Sequence, residues 1–299
     1  MLSIRLSELS PQDRQAYLQA AIGPRPIAFA STVDAEGNPN LSPFSFFNVF
    51  SSNPPILIFS PARRVRDNTT KDTLRNVEAS REVVINVVNY DIVHQASLAS
   101  TEYETGINEF TKAGLTMEPS VVVKPPRVKE SPVQMECKVK DIVPMGDAGG
   151  AGNLVICEVV HMHISEDILD ADGKIDQHKI DLVARLGGNW YARASGEALF
   201  EVEKPIRTKG IGVDSIPPRI RNSYVFSGND LGKLGNVESL PSEEEIRSVM
   251  DHPRVQEIFG QTADGLEARE GLHHYAKELL EKDKVSKAWK VLLCDNITK

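Results

Sequence analysis

Two short segments of this 299-residue chain hold residue types at spacings that could do chemistry. The first is Asn68-Thr69-Thr70-Lys71-Asp72-Thr73, which straddles the expected start of a helix. Unpaired backbone N–H groups and the helix dipole favour an anion at such a place. Three threonine hydroxyls and one lysine ammonium add donors and a full positive charge, the set a phosphate requires. Taken alone, the fragment favours an ordinary helix start with a solvated lysine. The second segment is Leu41-Ser42-Pro43-Phe44-Ser45-Phe46-Phe47-Asn48. Its phenylalanines are interleaved with small polar residues, and Pro43 removes a ladder donor, which places it at an edge or a bulge. Free amides beside an aromatic wall suit a flat heteroaromatic ligand, stacked on its face and hydrogen-bonded at its rim. Taken alone, this segment favours a kinked core strand.

Other candidate chemistries find less support. His161 and His163 share one face of an expected strand, but nothing of suitable spacing completes a metal site, so they read as strand histidines. His273 and His274 diverge on an expected helix. There is no Gly-x-Ser-x-Gly elbow. Cys137 and Cys157 read as small buried apolar residues, and with Cys294 they are too few and scattered for a disulfide framework. The glycine-rich stretch Gly146–Asn153 leads into a strand, whereas a phosphate loop leads into a helix, so it reads as a flexible hairpin connection.

The elements that must position these residues follow from patterning. Ser10 and Pro11 open a short helix that Gly23-Pro24 stops. Strands are expected over Pro26–Val33, Asn40–Val49, Ile56–Ser60, Glu82–Val88, Val133–Val143, Leu154–Ser165 and Leu182–Leu186. Helices are expected over Thr70–Ser80, Asp91–Ser100 and Glu104–Ala113. Many strands with short connections imply a mainly β, antiparallel barrel with decorating helices. Beyond Pro205 the pattern changes. Lys209–Asn236 reads as an extended or looped segment, and helices are expected over Ser242–Met250, Pro253–Phe259, Gly265–Lys282 and Val285–Leu293. The expected division is therefore a barrel domain over 1–205 and a helical tail over 206–299. The tail is small for an independent domain and is expected to pack on the barrel or on a partner subunit.

Composition excludes some partners. Thirty-four basic and 42 acidic residues give a net charge of −8, which argues against general nucleic-acid or anionic-membrane binding. No apolar run approaches a membrane span and no secretory leader is evident, so the expectation is a cytoplasmic protein.

Read together, the segments resemble the flavin reductase family, whose fold is the FMN-binding split barrel. The resemblance is carried by Gly23–Thr32, Asn40–Asn48, Pro54-Pro55 with Phe59-Ser60, Lys71–Thr73, Val84–Val87, Asn108–Phe110, Gly114–Thr116 and Arg185–Tyr191. It implies FMN held non-covalently at a homodimer interface. It further implies that Ser31, Thr32, Pro43, Phe44, Ser45, Phe46 and Asn48 line the flavin ring and that Ser60 reaches the ribityl-phosphate. Lys71 and Thr73 would hold the phosphate, and Arg185 and Tyr191 would approach from the late part of the barrel. No catalytic side chain or metal is implied, because hydride transfer from NADH or NADPH needs chiefly stacked rings. The acceptor would be free flavin, an oxygenase partner or another protein. The alternatives are a flavoredoxin-like electron-transfer protein with tightly bound FMN and an FMN-dependent oxygenase. Two departures stand out. Small two-component reductases carry Gly-Asp-His where this chain has Gly146-Asp147-Ala148, and the minimal family lacks the tail.

Overall fold

The computed structural model describes residues 1–202, 204–262 and 264–296, and these divide into two compact units, Met1–Phe200 and Glu201–Lys299. The first unit opens with α1 (Pro11–Ala21), where Ser10 accepts from the Asp13 amide at 3.1 Å. Then come β1 (Ala28–Val33), β2 (Pro39–Phe44), β3 (Phe47–Ser52) and β4 (Pro55–Phe59). The single strand expected over Asn40–Val49 is thus two, broken at Ser45-Phe46. Phe46 turns its carbonyl to the Ser60 amide at 2.8 Å instead of continuing the β1–β2 ladder.

Next are α2 (Asp72–Ser80), β5 (Glu82–Val87), α3 (Val93–Leu98), α4 (Glu109–Ala113), the two-residue strands β6 (Met117–Glu118) and β7 (Arg127–Val128), and the long hairpin β8 (Val133–Pro144) and β9 (Asn153–Ile164). The unit finishes with α5 (Gln177–Ile180), β10 (Val183–Arg185) and β11 (Tyr191–Arg193). The helix expected over Glu104–Ala113 begins only at Glu109, because Asn108 caps it by accepting from the Phe110 amide at 2.9 Å. All seven strands of the main sheet pair antiparallel in the order β2-β1-β5-β8-β9-β4-β3, so the ladder is open between β2 and β3. One face of the sheet buries Ala28, Ala30, Phe59, Ile85 and Cys157, and α2 packs Leu74 and Val77 on it. The other buries Phe29 and Leu41 beneath α3 and α4. β1 is covered on both faces, which is why it reads as an unbroken small-apolar run.

The second unit contains α6 (Pro218–Arg221), α7 (Gly228–Gly235), α8 (Glu243–Met250), α9 (Pro253–Gln261), α10 (Gly265–Glu281) and α11 (Val285–Leu292). The looped reading of Lys209–Asn236 is corrected here. Ser227 and Asp230 form a reciprocal capping box that starts α7 despite its glycines. Gly235, the last of them, is there for contact: a Cβ on it would meet the Gly212 and Val213 backbone at 3.1 Å, and one on Gly210, ahead of the helix, would lie 2.6 Å from the Gly235 carbonyl oxygen. The tail, expected to be small for an independent domain, has a hydrophobic core of its own. Trp289, Leu272, Leu280, Ile220 and Leu234 are fully buried within this unit, and Trp289 donates to the Leu234 carbonyl at 3.0 Å. Among the described residues no helix is long and apolar enough to cross a membrane.

Candidate functional site

The β1–β2 pairing sets Thr32 beside Asn40, Ala30 beside Ser42 and Ala28 beside Phe44. At the Thr32 end, the first turns of α2 rest on a buried polar network. Asn40 Nδ2 donates to Thr73 Oγ1 at 2.9 Å and to Thr32 Oγ1 at 3.3 Å, and Asn76 Nδ2 donates to Thr32 Oγ1 at 3.0 Å. Each bond satisfies a group that would be costly to bury alone. The network fixes where α2 starts relative to the sheet. Thr32 and Thr73 accept all of these bonds, so each keeps its own hydroxyl proton to give.

Lys71 stands at the N-cap position of α2, not inside it, and no side chain caps this helix start. Its Nζ lies 5.0 Å from the centre of the Phe44 ring, which in turn packs on Phe59 at 5.4 Å. Burial holds the Lys71 ammonium below the usual lysine range, and the neighbouring Arg64 guanidinium pushes it the same way while Glu102 opposes them. Lys71, Thr73, Arg64, Asn40 and Ser42 line one cleft, closed on its far side by the turn after α3. Two like charges converging beside an uncapped helix start make a positive field that favours an anion, and Glu102 offsets it in part.

Arg64 went unrecognised in the sequence, although the run Arg63-Arg64-Val65-Arg66 between a strand and a helix start is a visible signal. This arginine strap is held by its own contacts. Arg63 donates to Asn68 Oδ1 and to its carbonyl oxygen, each at 2.7 Å, and Arg64 donates to Thr69 Oγ1 at 3.0 Å and to the Thr70 carbonyl at 2.9 Å. The β8–β9 connection, expected to be a flexible hairpin loop, is bound to the strap. The Arg63 amide donates to the Ala151 carbonyl at 2.8 Å, and Asn68 Nδ2 donates to the Asp147 carbonyl at 2.9 Å. Gly149 is needed there, since a Cβ would meet the Val65 carbonyl oxygen at 3.0 Å. Gly152 likewise leaves room for the Ser60 hydroxyl, which would lie 2.6 Å from its Cβ.

The remaining predicted residues are placed as follows. Ser31 is fully buried, and its hydroxyl has no partner among the described residues. Pro43 and Ser45 are half-buried, Phe46 and Asn48 exposed, and Ser60 buried, all at the β2–β3 break and the end of β4. Arg185 and Tyr191 are not brought to the Lys71 cleft. Arg185 pairs with Arg25, ahead of β1 and at its other end, and stacks on Tyr191 with 4.6 Å between guanidinium and ring centre. Tyr191 lines a separate recess of about 330 Å³ with Tyr90, Val93 and Val183. His163 Nε2 lies 2.7 Å from Glu136 Oε1, and among the described residues no cluster of three His, Cys, Asp or Glu could hold a metal. Cys137, Cys157 and Cys294 are all buried.

The chain was compared with known proteins. Residues 22–179 match the model of the flavin reductase like domain. An uncharacterized protein of Halalkalibacterium halodurans is 37% identical over 206 residues, 68% of this chain and 97% of the relative. Nitrilotriacetate monooxygenase component B from Bacillus cereus superposes with a TM-score of 0.63 at 33% identity, covering 68% of this chain and 98% of that one. The 2-nitrobenzoate 2-nitroreductase of Pseudomonas fluorescens gives a TM-score of 0.59 at 26% identity over 70% of this chain and all of the other. The family match and the antiparallel sheet that carries the cleft agree, and the chain belongs to the flavin reductase like domain family of flavin-linked oxidoreductases.

Proposed function

We propose that the protein binds FMN without a covalent bond and passes electrons from NADH or NADPH to free flavin or another acceptor. The observation that carries this is the convergence of Arg64 and Lys71 beside the uncapped start of α2. The residues fit the cofactor. Lys71, Arg64 and the Thr73 hydroxyl would hold the phosphate, with Ser60 along the ribityl chain. Pro43–Asn48 would border the flavin ring, where Phe46 offers an exposed aromatic face. The buried, unpartnered Ser31 hydroxyl is a further polar group on β1 awaiting a ligand or water.

The chemistry that bound FMN supplies is two-electron acceptance and return. This chain's own part is to bind and to orient. Amides at the β2–β3 break would give hydrogen bonds to the ring edge, and apolar walls exclude water. No general acid or base is required. A homodimer is part of the proposal. Val49 and Phe50 on β3, with Val160, Met162 and Ile164 on β9, leave apolar side chains in solvent that a second copy would cover.

A flavoredoxin-like electron-transfer role is the second reading. It is favoured by Ala148, which stands after Gly146-Asp147 where a histidine would be expected for nicotinamide use. One anaerobic titration separates the two. Bleaching of the visible flavin band by NADH or NADPH supports the reductase. Bleaching only by dithionite or a protein donor supports the carrier. A preparation that is colourless and binds no added FMN rejects both.

A further inference from the structure

We propose that Glu102 is a built-in competitor for the cofactor phosphate, a carboxylate that occupies the cation cleft until the phosphate enters and so sets how strongly phosphorylated flavin is preferred. The inference rests on the FMN reading of this cleft and adds a residue that tunes it.

Glu102 sits in the turn after α3 and lines the same cleft as Lys71 and Thr73. Its Oε1 is 3.1 Å from Arg64 Nε, and its Oε2 is 3.1 Å from an Arg66 terminal nitrogen. Its charge also acts on Lys71, where it is the one influence that favours the ammonium form. Glu102 therefore answers the positive field of the cleft as an incoming phosphate would. The other acids nearby do not. Asp72 is ion-paired with Arg75 on the surface of α2. Glu109 is pushed up by burial, above the usual carboxylate range, and accepts from the Leu41 amide at 3.0 Å.

The strap does not depend on Glu102 for its shape. Without it, Arg64 still holds Thr69 and the Thr70 carbonyl, Arg66 still pairs with Asp67 at 3.0 Å, and Arg63 still holds Asn68. About half of the Glu102 side chain is exposed, so it can exchange its ion pairs for water at little cost. A residue so placed opposes the binding of a phosphate without being needed to build its site.

The test is equilibrium binding of FMN and of riboflavin to the full chain and to Glu102→Gln, which keeps size and loses charge. Glu104→Gln, an exposed neighbour outside the cleft, makes the same change in net charge and serves as control. Glu102→Gln should bind FMN about fivefold more tightly, riboflavin unchanged, the gain shrinking as salt is raised. Unchanged or weaker FMN binding by Glu102→Gln, or an equal gain in Glu104→Gln, overturns the proposal. The cofactor reading then still stands, provided the wild-type chain prefers FMN to riboflavin. A wild-type chain with no such preference overturns both.

Discussion

Two things work against the charge on Lys71: it is half-buried, and it faces Arg64. Both depress its affinity for a proton, and the negative charge of a phosphate in the cleft would offset both. Lys71→Ala should therefore remove a charge-assisted hydrogen bond worth roughly 1.5–3 kcal/mol. FMN affinity should fall on the order of ten- to a hundredfold. Riboflavin affinity should hardly move, because riboflavin lacks the phosphate. Fluorescence titration of both ligands at matched ionic strength checks this, and equal loss for both would mean that the variant is merely destabilised. The Thr73 hydroxyl belongs to the same argument with a smaller stake. Thr73→Val should weaken FMN by about tenfold at most, and it also costs Asn40 a buried acceptor.

At the scale of elements, the β8–β9 hairpin is pinned through one buried carboxylate. Glu136 accepts from the amides of Val121, Val122 and Val123 at 2.8, 2.6 and 3.1 Å, and His163 Nε2 lies 2.7 Å from it. Burial alone would raise its pKa. The three backbone N–H groups and His163 outweigh that and bring it down to about 2. A carboxylate with a depressed folded-state pKa adds stability at pH values above its unfolded pKa, near 4.3, and that stability is lost as pH falls toward 2. Acid unfolding of the first unit should thus steepen across that window. Glu136→Gln should flatten it, while costing about 3 kcal/mol at neutral pH; urea midpoints measured from pH 6 downward would show both. In the second unit the corresponding device is close backbone approach. Gly210→Ala places a methyl group against the Gly235 carbonyl and should destabilise that unit by about 1–3 kcal/mol in thermal melts.

For the whole molecule, a separate core in each unit, two-faced in the first, predicts two unfolding events. Each unit carries one tryptophan in a different environment, which makes the events separable. Trp190 is 75% exposed in the first unit, and Trp289 is 1% exposed in the second. Only melting of the second unit should red-shift the tryptophan emission, because Trp289 alone passes from apolar contact into water. FMN at about a hundredfold excess over its Kd should raise the first unit's transition by about 2.7 kcal/mol of added stability and leave the second in place. Calorimetry with and without FMN reads this directly; a shift of the Trp289 transition would place the ligand elsewhere.

The sequence by itself determined most strands of the main sheet and several capped helices, and it marked Lys71 and Thr73 as a candidate anion site. Those features are local: Ser10 and Ser242 each accept from an amide three residues away, and the β-rich run of β1 follows from burial on both faces. Lys71 and Thr73 were legible because residue type and a nearby helix start suffice to suggest an anion site. Arg64 and Glu102 were not, because their significance depends on partners: Glu102 reaches the arginines from 38 and 36 residues along the chain. Where Arg185 and Tyr191 lie was not legible for the same reason, since the pairing of Arg185 with Arg25 joins distant segments at the other end of β1. In the second unit, three glycines hid α7 because intrinsic propensity opposes a helix there; the Ser227–Asp230 capping box starts it, and Gly235 alone of the three packs closely, on the Gly212 and Val213 backbone. Short-range hydrogen bonding and burial period are written along the chain, whereas charge convergence and backbone contact come into being only when segments far apart in sequence are brought together.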